Sequence, residues 1–105
     1  MADALLVFCT CSSQLEASQL AHSLVGGGAA ACVNIIPAIE SIYRWEGKIE
    51  TSQEVLLLIK TTPGRFPDLR DQIVALHSYD TPEVIALPIV DGLAKYLAWL
   101  GAAVK

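Results

Sequence analysis

Charge is scarce in this sequence and nowhere concentrated. Only 17% of the 105 residues are Asp, Glu, Lys or Arg. The basic ones are scattered, with Arg44, Lys48, Lys60, Arg65 and Arg70 forming no cluster. Against 11 acidic residues they leave a net charge of −4 and a pI near 4.9. Nucleic acid and anionic membrane surfaces are therefore excluded as expected partners, since both are held by basic patches. Long apolar runs are missing too. Stretches such as residues 4–9 fall far short of the roughly 20 residues that cross a bilayer. The beginning of the chain carries Asp3 and no basic run, so no signal peptide is expected. Cysteine is limited to three, an odd number, which reads as reduced thiols in a cytoplasmic protein rather than a disulfide framework. The signatures G-x-S-x-G, H-E-x-x-H, G-x-x-x-x-G-K-[ST] and G-x-G-x-x-G are all absent, and no catalytic activity is expected.

What is present in quantity is apolar surface. Hydrophobic residues make up 53% of the 11.2 kDa chain. At this length one domain spanning residues 1–105 is expected, with a core that needs no staples. So apolar a composition exceeds what a lone small subunit hides, so self-association is expected.

The patterning gives an order of elements. Residues 4–10 form an apolar, β-rich run that reads as a buried strand. Ser13-x-x-Glu16 has the capping-box spacing, in which two side chains satisfy orphan N–H groups at a helix start. Ala17, Leu20, Ala21, Leu24 and Val25 then recur at helical spacing, and Gly26-Gly27-Gly28 stops the helix. Because those glycines follow a helix rather than a strand, they are not a phosphate cradle. Residues 30–45 read as a long strand broken at Pro37, Glu46-Gly47 as a tight turn, and residues 48–61 as the returning strand. A second helix carries Phe66, Leu69, Ile73 and Leu76 on one face, with Pro67 in its first turn. Residues 84–90 read as a strand whose Pro88 marks an edge or bulge, and Asp91 as the N-cap of a last short helix holding Leu93, Tyr96, Leu97 and Leu100. The order β-α-β-β-α-β plus a C-terminal helix is the ferredoxin-like split βαβ, an α+β fold with helices on one face of an antiparallel sheet.

The central hairpin is too long for its own domain. Arms of 14–16 residues would extend about 46–53 Å, whereas a compact chain of this length is about 33 Å across. The hairpin must bend or protrude. Ile39, Ile42, Tyr43, Trp45 and Ile49 would then be presented on open strand edges, which partner subunits would cover.

The motifs along this order closely resemble the CutA divalent-cation-tolerance family. They are Ala30-Ala31-Cys32-Val33-Asn34-Ile35, Ser41-Ile42-Tyr43-Arg44-Trp45-Glu46-Gly47-Lys48, Glu54-Val55-Leu56-Leu57-Leu58-Ile59-Lys60-Thr61, His77-Ser78-Tyr79-Asp80-Thr81-Pro82-Glu83 and Tyr96-x-x-Trp99. The match covers the chain in order. Ser78 is a departure, since the family usually has proline between the histidine and the tyrosine. The resemblance implies a tight homotrimer, PII-like in architecture, in which hairpin arms pair between subunits. It also implies association with divalent metals, with copper bound in bacterial members.

Two groups of residues could hold a metal. Cys9 and Cys11 lie two apart on a strand and so share a face. A C-x-C pair with an imidazole suits Cu(I) or Zn(II), and the alternative is a pair of small core residues. By resemblance, Cys9 matches the first-strand thiol associated with copper in bacterial relatives, while Cys11 has no required counterpart. His77 ends the second helix and is followed by Tyr79, Asp80 and Glu83, a set of oxygen donors. It serves either as a ligand or as a C-capping side chain. Relatives with copper ligands often have two adjacent histidines, where this chain has Leu76-His77. The expected site is therefore Cys9 and His77 with Asp80 or Glu83, holding Cu(II) or another divalent cation weakly. His22 falls on the solvent side of its helix, and Cys32 sits amid apolar neighbours. Two other functions compete: a PII-like small-molecule sensor with a ligand near Lys60, Tyr79 and Glu83, and a trimeric interaction scaffold.

Overall fold

The computed structural model describes residues 3–105. It contains β1 (Leu5–Cys11), α1 (Gln14–Gly26), β2 (Cys32–Trp45), β3 (Lys48–Thr61), α2 (Phe66–Leu76), β4 (Val84–Pro88) and α3 (Ala94–Ala103). The four strands form one antiparallel sheet in the order β2-β3-β1-β4. This is the ferredoxin-like α+β arrangement the element order implies.

Alternation along the strands divides the sheet into two unlike faces. Val7, Cys9 and Cys11 of β1 and Val55, Leu57 and Ile59 of β3 point toward the helices. There they meet Ala17, Leu20 and Leu24 of α1 and Leu69 and Ile73 of α2 in the main core. Leu6 and Phe8 point the other way, beside their register partners Leu58, Ile85 and Leu87. This second face is apolar but open, and Ile36, Ile85 and Leu87 all remain exposed. Lys60 sits on it, its ammonium hydrogen-bonded to Asn34 across the strands. Leu100 of α3 closes a smaller cluster with Ala4 and Ala31 at one end of the sheet.

The hairpin protrudes, giving the molecule extents of 44 × 25 × 22 Å. Trp45 pairs with Lys48 across a two-residue turn in which Glu46 (φ 49°) and Gly47 (φ 79°) both take positive φ, the geometry that suits the right-handed strand twist. Near the tip, Ile42, Trp45 and Ile49 are 66, 56 and 70% exposed. The break at Pro37 is a bulge. Ile36 pairs with Leu56 and Ile39 with Glu54, so three steps on β2 oppose two on β3, and Ala38 absorbs the extra residue at φ 60°.

Several local readings change. Ser13 caps α1 by accepting the Glu16 N–H at 3.1 Å, but the Glu16 carboxylate reaches past Ser13 to the Ser12 N–H and hydroxyl, both at 3.1 Å. The left-handed residue after α1 is Gly28 (φ 81°), whereas Gly27 stays right-handed. Leu76 lies exposed at the last turn of α2, where it lines an open pocket beside the start of α1, and only Leu69 and Ile73 of the helix are buried. β4 stops at Pro88, which lacks the N–H to continue the ladder. Asp91 does not cap α3: its carboxylate accepts the Gly92 N–H, and the exposed Leu93 occupies the cap position. Among the described residues no helix is long and apolar enough to cross a membrane.

Candidate metal centre

The core is chemically distinct at the end of β1. Period-two alternation puts the Cys9 and Cys11 side chains on the helix face, and the C-terminal end of α2 delivers His77 beside them. One donor atom from each of the three lies within 4.8 Å of the others, and all three residues are buried. Two thiols and an imidazole form a soft donor set that fits a thiophilic ion. All three cysteines are free thiols, with Cys32 apart at the start of β2.

Both ring nitrogens of His77 are engaged by backbone. Nε2 lies 2.7 Å from the Thr10 carbonyl oxygen, which only accepts. Nδ1 lies 3.0 Å from the Tyr79 N, which only donates. The two partners assign the proton of the neutral ring to Nε2. The Tyr79 ring packs on the imidazole with centroids 4.7 Å apart, and its hydroxyl donates to the buried Glu54 at 2.8 Å. Burial and the Glu54 carboxylate push the Tyr79 hydroxyl well above its usual range. The two thiols interact as well. The hydrogen bond between them and burial hold Cys9 as a thiol, while the same bond favours the thiolate on Cys11 and lowers its pKa.

Glu16 straps the loop over this cluster. Besides Ser12 it accepts the Ser78 N–H at 2.8 Å, joining the start of α1 to the end of α2. Burial pushes this carboxyl up, but the hydrogen bonds from Ser78 and Ser12 outweigh it and bring the pKa from 4.5 down to about 2. Outside the strap an open pocket of about 400 Å³ is lined by Ser12, Glu16, Leu20, Leu76 and Ser78.

The sequence-expected ligands are thus brought together in part. Cys9 and His77 meet. Asp80 and Glu83 are exposed and stand outside the cluster, although Glu83 is near enough for its charge to disfavour a Cys9 thiolate. Cys11 completes the group, a position already signalled by its two-residue spacing from Cys9. The Glu16 strap carried no comparable signal, because the capping-box spacing directs that carboxylate to its own helix. His22 is exposed, with Nδ1 2.8 Å from the Ser18 carbonyl.

An antiparallel β2-β3-β1-β4 sheet with two helices on one face and a thiol–imidazole cluster at the end of its first strand defines a ferredoxin-like subunit built around a soft donor set. Residues 5–103 match the family model of the CutA1 divalent ion tolerance protein, and the chain belongs to that family. It is 48% identical over 95 residues to the divalent-cation tolerance protein CutA of Thermus thermophilus, covering 90% of this chain and 92% of that one. It is 48% identical over 96 residues to the chloroplastic CutA of Arabidopsis thaliana, covering 91% of this chain but 53% of that longer protein. Among solved structures, CutA1 from Oryza sativa superposes with a TM-score of 0.96 at 44% identity, covering 99% of this chain and 95% of that chain.

Proposed function

We propose that the protein is a metal-binding member of its family that takes a transition-metal ion, copper first among them, at the Cys9–Cys11–His77 pole and acts as a homotrimer without catalysis. The observation that carries the metal reading is the convergence of three buried soft donors within 4.8 Å in a chain whose relatives are named for divalent-cation tolerance. Cys9 supplies the thiolate. His77 supplies an imidazole once Nδ1 releases the Tyr79 amide, and Asp80 or Glu83 would reach the ion only by movement of their loop or from a neighbouring subunit. Such a rearranged site is weak, because forming it breaks an existing hydrogen bond.

Support for the trimer comes from the open sheet face and the protruding hairpin, which leave Ile36, Ile42, Trp45, Ile49, Ile85 and Leu87 uncovered in one subunit. A cytoplasmic location fits the three free thiols. Calorimetric titration with Cu(II), Zn(II) and a nucleotide panel tests the reading, beside light scattering at micromolar concentration. Binding of Cu(II) by a particle of about 34 kDa, three times 11.2 kDa, supports it. Nucleotide binding alone would favour a ligand sensor, and silence in every titration would favour a scaffold.

A further inference from the structure

We propose that the Cys9–Cys11 pair is a two-coordinate site for a soft monovalent ion of the Cu(I) or Ag(I) class, with both ligands thiolates and His77 a wall of the site rather than a donor. The inference rests on the reading of this pole as a metal centre and assigns it the charge and donor number of its ion.

Donor supply is the first argument. A divalent ion such as Zn(II) needs four donors. Within this cluster only the two thiols are lightly held, Cys9 by a long contact to the Thr10 carbonyl at 3.8 Å and the pair by each other. His77 has given Nε2 to the Thr10 carbonyl and Nδ1 to the Tyr79 amide, and the carboxylates of Asp80 and Glu83 lie outside, exposed. Monovalent coinage metals are satisfied by two thiolates in a line, and thiolate is the ligand type that selects them.

Span is the second argument. With a metal–thiolate bond of about 2.3 Å, a linear S–M–S unit is about 4.6 Å from sulfur to sulfur. The two Sγ atoms lie within 4.8 Å of each other on adjacent same-face positions of one strand, a limit close to that span. The strand holds the pair rigid, since β1 is hydrogen-bonded on both sides through Cys9, to Leu57 on β3 and Val84 on β4.

Charge is the third. Two S–H bonds break, two S–M bonds form, and two protons leave to solvent. The ion cancels one of the two thiolate charges. The start of α1, capped by Ser13, follows Cys11 by two residues in the chain. The open pocket beside the Glu16 strap is lined by Ser12 and Ser78, the chain neighbours of Cys11 and His77.

The test is anaerobic competition titration of the full chain with Ag(I) and with Cu(I) buffered by a chromophoric chelator. Cu(II) and Zn(II) titrations are run on the same preparations. One ion per subunit is expected, with Cys9→Ala and Cys11→Ala each weakening binding about 100-fold or more. Thermal melts confirm that both variants are folded, and Cys11→Ser provides a second substitution should the alanine variant fail. X-ray absorption of the loaded protein should show two sulfur neighbours and no nitrogen, and the His77 ring signals should keep the Nε2–H tautomer on loading. Retention of Ag(I) and Cu(I) affinity in Cys11→Ala, or a nitrogen in the coordination shell, overturns the proposal. Failure of Ag(I) and Cu(I) with retained Cu(II) binding rejects this inference alone. The reverse pattern rejects the divalent reading and leaves the dithiol site standing.

Discussion

Removing the Glu16 carboxylate by Glu16→Gln should destabilise the protein by an amount that depends on pH. The carboxylate accepts from the Ser12 N–H, the Ser12 hydroxyl and the Ser78 N–H, and so ties α1 to the loop after α2. Those bonds outweigh burial and lower its pKa from 4.5 to about 2. A carboxyl whose folded pKa is depressed contributes stability that is fully present above the unfolded value and is lost as pH falls through the folded one. The difference between 4.5 and about 2 corresponds to at most about 3.4 kcal/mol. Because the group is only half-buried, solvent screening brings this to about 1–2 kcal/mol. Glutamine keeps one acceptor oxygen but no charge, so the variant should fall short of the parent by about that amount at pH 6. The gap should close between pH 4.5 and 2, as the parent's own carboxyl protonates. Urea unfolding of both proteins at half-unit steps from pH 6 to pH 2 measures this directly. A gap that stays constant across the range, or that is absent at pH 6, refutes the charged strap as the source of the stability.

Three further substitutions test other parts of the fold. Gly28→Ala combines φ 81° with a methyl group placed 2.7 Å from the Lys105 Cβ, and should lower the urea midpoint by the equivalent of about 1–2 kcal/mol or more; an unchanged midpoint would show that the chain end yields freely. Gly47→Val meets nothing within 4 Å, so its expected loss of about 1–2 kcal/mol comes from positive φ alone. It should shift the melting temperature and weaken assembly together, and a variant that melts and sediments like the parent contradicts the turn geometry. Thr61→Val removes a buried hydroxyl that donates to the Ala29 carbonyl at 2.6 Å; calorimetry should record a loss of about 1–2 kcal/mol, and a neutral result would mean that carbonyl finds another donor.

How much of this was legible beforehand varies with the range of the interaction that decides each feature. The strand order, the hairpin turn and the first helix follow from alternation, Glu46-Gly47 and the Ser13 cap, all local signals. Gly28 is the left-handed residue because it closes a Schellman motif, its N–H donating to the Val25 carbonyl at 3.1 Å and the Ala29 N–H to the Leu24 carbonyl at 3.0 Å, and three glycines in a row do not say which one takes that place. Leu76 fits the helical period yet faces the open pocket beside α1, since periodicity does not say which neighbours cover the last turn. At the thiol–imidazole cluster, the shared face of Cys9 and Cys11 was readable from their spacing. The state of His77 was not: its two partners, Thr10 and Tyr79, are chosen by how α2 docks on β1. Asp91 shows the opposite error, a residue of the right type two positions too early, its carboxylate captured by the adjacent Gly92 N–H.

The bulge at Ala38 makes β2 behave like a message with a shifted reading frame. Ahead of it, Cys32, Asn34 and Ile36 pair with the even-numbered residues of β3; behind it, Ile39, Ser41, Tyr43 and Trp45 do. One face is therefore written in even numbers and then in odd ones. Deleting Ala38 alone would restore a single frame and leave every pair in place, with Ile39 still opposite Glu54, Tyr43 opposite Glu50 and Trp45 opposite Lys48. A deletion elsewhere in that arm would instead flip the side chains lying between it and the bulge.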